Sequence, residues 1–156
     1  MPVVSNIKGP QGNAGVIQTV QVPFLAPNDT ASAVATNLAV NVVNAVSDMN
    51  LRRVADLRNL TKCRVMGRIG GSLTSATQIR IQYHTGGNVA VASGDAGWTT
   101  LADSVGNHTV NTLFYTAELA VPAGARIQFC LLRAVLFSGN GTADPTITAC
   151  VADFYP

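Results

Sequence analysis

Turn-forming residues break this chain about every ten residues, and the stretches between the breaks are short and β-prone. Pro27-Asn28-Asp29, Gly86-Gly87-Asn88, Pro122-Ala123-Gly124 and the run from Ser138 to Pro145 are such breaks. The clearest stretch is Thr77–His84: Ile79, Ile81 and Tyr83 alternate with Gln78, Arg80, Gln82 and His84, so the first set is expected inside and the second outside. Lys62–Gly71 alternates Cys63, Val65, Gly67 and Ile69 against Arg64, Met66 and Arg68. The near-continuous apolar run around Cys130–Phe137 suits a strand buried on both faces. Thr146–Tyr155 reads as the last strand, and Val16–Phe24 as the first, with Pro23 marking an edge or an end.

Two regions are less regular. Leu51–Asn59 reads as a strand with a bulge. Residues 30–50 carry both a helical and an alternating pattern, and the Asn and Val content favours a strand followed by a turn. The charge supply agrees with a β body. The chain has eight Arg but only two Lys and one Glu, so the residues that clothe a solvated helix are nearly missing. The expected fold is all-β: an antiparallel β-sandwich, jelly-roll-like, of about eight strands, with an extended N-terminal arm. The expected division is an arm over 1–27 and the sandwich over 28–156.

Composition also excludes whole classes. With 47% apolar residues and a net charge of only +2, the chain is not disordered throughout. The same small charge gives no electrostatic footprint for nucleic acid. No apolar run reaches the roughly 18 residues of a membrane helix, so membrane insertion is not expected. No basic segment followed by an apolar one opens the chain, so no secretory signal is visible and synthesis in a cytoplasm is the expectation.

Little in the chain suggests chemistry. His84 and His108 are the only imidazoles, Glu118 is the only Glu, and no nucleophile-elbow, zincin or phosphate-loop motif is present. The expectation is a protein that is not an enzyme and has no catalytic residue, cofactor or metal. Cys63, Cys130 and Cys150 form no C-x-x-C pair and read as small buried hydrophobes, with a Cys130–Cys150 bridge open only if their strands are neighbours. Asp144 with Asn140 offers too few oxygens for calcium and reads as turn chemistry, as do the four Asn-x-Thr sequons. Trp98 is either a sugar-stacking platform or the cover of a sandwich end, and Tyr83 either joins it or sits in the core.

The N-terminal GPQGNAG puts Gly9, Gly12 and Gly15 at a spacing of three, with Pro10 between. It is either a flexible arm or a short collagen-like stub that brings three chains to one axis.

Three phrases carry a resemblance over about residues 50–156: Leu60-Thr61 with Arg64-Val65-Met66-Gly67-Arg68-Ile69, then Ile79-Arg80-Ile81-Gln82-Tyr83-His84-Thr85-Gly86, then Gly139-Asn140-Gly141-Thr142-Ala143-Asp144-Pro145. In this order they resemble β-sandwich domains of bacteriophage virion proteins, found at the tips of tail fibres, minor tail proteins and head fibres, particularly in phages of actinobacteria. Collagen-like stretches commonly precede such tips. The resemblance implies a structural virion protein on the particle exterior. The short arm points to a trimeric capsid decoration protein that stabilises the shell, with partners that are its own copies and the major capsid protein or another virion protein. Gly9, Pro10, Gly12 and Gly15 would then be trimer or arm contacts. The alternative is a receptor-binding tip that recognises a host surface glycan through Trp98, Asn140 and Asp144.

Overall fold

Alternation of side chains across each strand divides the chain into inner and outer faces, and two sheets close over the inner ones. The computed structural model describes residues 19–25, 33–34, 42–43, 52–71, 77–84, 95–104, 108–138 and 145–156. Its strands are β1 (Val20–Leu25), β2 (Ala33–Val34), β3 (Val42–Val43), β4 (Arg52–Ala55), β5 (Lys62–Gly71), β6 (Thr77–His84), β7 (Trp98–Asp103), β8 (Phe114–Tyr115), β9 (Leu119–Ala120), β10 (Cys130–Ser138) and β11 (Pro145–Tyr155). A 3-10 turn covers Ala123–Ala125. The first sheet runs β1-β11-β5-β8, with β2 also on β11 and β9 on β5. The second runs β3-β10-β6-β7, with β4 also on β10. Every pairing among these strands is antiparallel. The chain is therefore an all-β antiparallel sandwich.

The inner faces are the ones the sequence predicts. On the first sheet Cys63, Val65, Ile69, Cys150, Ala152 and Phe154 are almost wholly buried, joined by Val22 and Phe24 of β1. On the second, Ile79, Ile81, Tyr83, Cys130, Leu132, Ala134 and Leu136 meet them. Gly67 interrupts the apolar series on β5 for a reason of space: a Cβ there would run into the Phe114 ring and come within 2.8 Å of Ile79 Cδ1. Thr148 falls where the β5–β11 register shifts, and the extra residue is tied down by Arg68, whose Nε donates to Thr148 Oγ1 at 2.9 Å.

One arginine seams the two layers. Arg53 of β4 donates from Nε to the Pro23 carbonyl at 2.7 Å and from Nη2 to the Phe24 carbonyl at 2.8 Å, reaching from the second sheet to β1 of the first. Its Nη1 donates to the Arg52 carbonyl at 2.6 Å.

Several sequence expectations change here. Because β1 pairs with β11 and buries Val22 and Phe24, the sandwich begins by Val20, ahead of the boundary expected at residue 28. The expected strand over Leu51–Asn59 stops at Ala55. A turn follows, in which Asn59 takes a left-handed φ of 66°, the turn chemistry expected of its sequon. The β-prone stretch 109–121 reads in sequence as one more strand, but in the fold it forms only two-residue bridges, β8 and β9, along the edge of β5. Of the 30–50 region only β2 and β3 lie in the described residues, and both are strands. All three cysteines are free thiols in the core, so no Cys130–Cys150 bridge exists.

Two measurements check this packing. Gly67→Ala should destabilise by about 1–3 kcal/mol in urea unfolding, the usual cost of overfilling a tight site. Burial also pushes the Cys63 thiol up to about 11 and the Cys130 thiol up to about 12, and raises that of Cys150. A thiol reagent at about pH 8 should leave native protein unlabelled and modify all three cysteines after unfolding.

Candidate functional site

Several polar residues on the outer face of the second sheet are covered. Register places Arg52, Arg133, Gln82 and Thr100 in one row across β4, β10, β6 and β7, and Val54, Leu131, His84 and Trp98 in the next. Trp98 opens β7, and its ring gathers the cluster. The Arg133 guanidinium carbon lies 4.1 Å from the ring centroid and that of Arg52 lies 5.2 Å away, both in cation–π range. The His84 ring meets the indole edge-on at 5.2 Å. Arg133 Nε donates to Gln82 Oε1 at 2.8 Å. Gln82 and His84, expected to face solvent, are each only 7% exposed, and Arg133 is 4% exposed. Their outward direction is as predicted, but they are covered. Tyr83 belongs to the core, and Gly124 of the 3-10 turn lies against its ring, where a Cβ would stand 3.0 Å from the phenol oxygen.

Asp95 anchors this cluster at its rim. Its Oδ1 lies 2.9 Å from His84 Nε2 and accepts the Gly97 N–H at 2.7 Å. Gly97 has no room for a Cβ beside the His84 ring. The hydrogen bond from His84 first, and that from Gly97 second, hold the Asp95 carboxyl below the usual carboxylate range.

Trp98 and the ends of 139–144 lie far apart. Trp98 pairs with His84, whereas Ser138 pairs with Thr77 at the other end of β6. The length of β6 between them is about 23 Å at roughly 3.3 Å per residue. Asn140 and Asp144 lie outside the described residues, as do Gly9, Pro10, Gly12 and Gly15. Asp144 adjoins Pro145, which pairs with Gly71 at the end away from Trp98. A ligand touching both Trp98 and Pro145 would have to run the length of the sheet.

His108 and Ser104 are close without forming a catalytic dyad. His108 Nε2 is 2.9 Å from the Ser104 carbonyl oxygen and 3.1 Å from Ser104 Oγ. A carbonyl only accepts, so Nε2 carries the proton and has no lone pair with which to activate the hydroxyl. Ser104 Oγ accepts the Ile79 N–H at 2.9 Å, and the imidazole stacks on Phe114 at 3.9 Å. The pair closes one end of the core. Glu118 is likewise engaged in surface contacts, accepting from Tyr155 at 3.1 Å and pairing with Lys62 at 3.3 Å.

A second locality, which no pattern in the sequence marks, lies at the same end of the sandwich as Trp98. The turn after β4 and the segment after the 3-10 turn leave an open cleft of about 760 Å³ lined by Asp56, Arg58, Asn59, Thr61 and Arg126. The volume is in the roughly 300–1,000 Å³ range of small-molecule sites. Arg58 meets Asp56 side-on, with Nη2–Oδ2 at 2.6 Å and Nε–Oδ1 at 3.0 Å, and this guanidinium holds the Asp56 carboxyl below the usual range. Arg126 donates from both Nε and Nη2 to the Val121 carbonyl, at 3.0 and 2.7 Å. The two halves of the cleft are held together by Leu57 N–H donating to the Ile127 carbonyl at 3.0 Å. No group of metal-ligating side chains occurs among the described residues.

No protein-family model matches the chain, and no curated protein matches it closely enough to indicate a relative.

Because the Asp95 carboxyl is depressed in the fold, its contribution to stability is present above its ordinary value near ~3.9 and fades as the pH falls through the lower folded value. Thermal melting of wild type and Asp95→Asn should therefore differ at about pH 6, with the variant less stable, and the difference should shrink as the pH is lowered through the carboxyl's folded value.

Proposed function

We propose that this chain is a structural protein of a bacteriophage virion, carried on the particle exterior as a trimeric capsid decoration protein that ties shell subunits together. The phage resemblance supports this reading, and its residues act as framework. Val65, Gly67 and Ile69 build the inner face of β5, and Ile79, Ile81 and Tyr83 that of β6. Arg80 pairs with Asp103 at 2.6 Å and stacks on Phe137 at 3.7 Å. Such residues specify a scaffold whose work is mechanical.

The observation that carries association is an apolar row on the outer face of the first sheet, exposed at its ends, Pro23 and Tyr115, and buried at Val151 between them. Pro23, Val151, Met66 and Tyr115 are successive register partners across β1, β11, β5 and β8. The row ends on Tyr115 at 70% exposure, with Leu113 and Val110 exposed beside it on the same edge. An outer sheet face of this kind gains by burial against another chain. In the proposed trimer it would supply the contact, and residues 1–18 would reach the shell.

A second reading, a receptor-binding tip for a host glycan, is favoured by one observation: the polar cleft and the Trp98 cluster share one end of the sandwich. In that reading Trp98 is a structural centre held by two guanidiniums, and the cleft is the contact surface.

The decoration reading is tested by sedimentation and by particle binding. Wild type should sediment at three times the 16.2 kDa chain mass, and Tyr115→Asp should shift it toward monomer. Deleting residues 1–18, which leaves β1 intact, should preserve the trimer and abolish attachment to capsids. A wild type that stays monomeric at micromolar concentration, or antibody labelling confined to the tail in electron micrographs, overturns it.

A further inference from the structure

The cleft between the turn after β4 and the segment around Arg126 carries a more specific ligand chemistry than a host glycan at large. Its charges are unequal. Asp56 and Arg58 neutralise each other in a side-on pair. Arg126 has no carboxylate partner among the described residues. Its Nε and Nη2 are both spent on the Val121 carbonyl, which fixes the guanidinium plane and leaves Nη1 to donate elsewhere. A planar cation held by a carbonyl at the wall of an open cleft is organised in advance for an oxyanion.

The neighbouring groups suit a polyol rather than a bare ion. Asn59 and Thr61 offer both donors and acceptors to hydroxyls. Phe129 is 66% exposed and comes one position before Cys130, whose register partner Ala55 precedes Asp56 of the cleft. A large apolar ring left in water is a surface on which the apolar face of a sugar stacks. We propose, on the basis of the receptor-binding reading, that this cleft is a binding subsite for a sugar bearing a carboxylate or phosphate group. Arg126 meets the anionic oxygens, Asn59 and Thr61 the hydroxyls, and Phe129 the face of the ring.

The full chain is titrated by NMR chemical shift with glucuronic acid, glucose 6-phosphate, glucose and inorganic phosphate. At least one of the two charged sugars should bind saturably and at least tenfold tighter than glucose, and which one does so identifies the anionic group. Arg126→Gln should weaken that binding at least tenfold, Arg126→Lys less, and Phe129→Ala severalfold. Circular dichroism of each variant checks that the substitution leaves the fold intact. The assignment is overturned if neither charged sugar saturates, if Arg126→Gln binds as wild type does, or if inorganic phosphate binds as tightly as glucose 6-phosphate and Phe129→Ala changes neither. Adsorption of wild type to host cells separates the two levels. Adsorption that survives both Arg126→Gln and Phe129→Ala removes this subsite alone, whereas a wild type that never adsorbs removes the receptor-binding reading itself.

Discussion

Apolar burial between two long strand pairs, β5 with β11 and β6 with β10, is the interaction on which the rest of the fold depends. Their inner faces supply most of the large side chains with almost no exposure, among them Ile69, Ile79, Ile81, Leu132, Leu136 and Phe154. The shorter strands add to these pairs and do not replace them. β1 and β2 extend the sheet from β11, β8 and β9 from β5, β3 and β4 from β10, and β7 from β6. Burial of this kind is non-directional, so the exact partners are fixed by local details: the missing Cβ at Gly67, the bulge at Thr148 and the carbonyl contacts of Arg53.

Of the four long strands, β5 and β6 were legible because each carries the period-2 pattern of a surface with one wet and one dry face. β10 was legible for the opposite reason, an unbroken apolar run, and β11 from its β-prone residues between a long turn and the chain end. What escaped the sequence is what depends on non-local contacts. The 109–121 stretch has strand-like residues, yet it bonds to β5 only at short intervals, and composition does not encode that. Gln82 and His84 point outward as their alternation requires. Their burial comes from a cluster on Trp98 and Arg133, residues far away in the chain. The cleft joins Asp56 and Arg126, brought together by a backbone bond from Leu57 to Ile127, and no motif spans that distance.

Charge is scarce in this chain, and its arginines are used in a particular way. Arg53 and Arg126 bond to main-chain carbonyls, Arg68 to a threonine, and Arg133 to a glutamine. Arg58 and Arg80 meet carboxylates, those of Asp56 and Asp103. A guanidinium serves well here because its rigid fork of donors satisfies several fixed acceptors at once, which a lysine ammonium does less well. Four of these six arginines are in this way seated on uncharged acceptors.

The seam made by Arg53 has a further consequence. Its bonds to Pro23 and Phe24 join a cation to peptide dipoles, which acid does not neutralise and dissolved ions weaken less than they weaken a pair of exposed charges. The junction between the layers at this edge should therefore hold about equally in fresh water and in brine, and across a wide span of acidity.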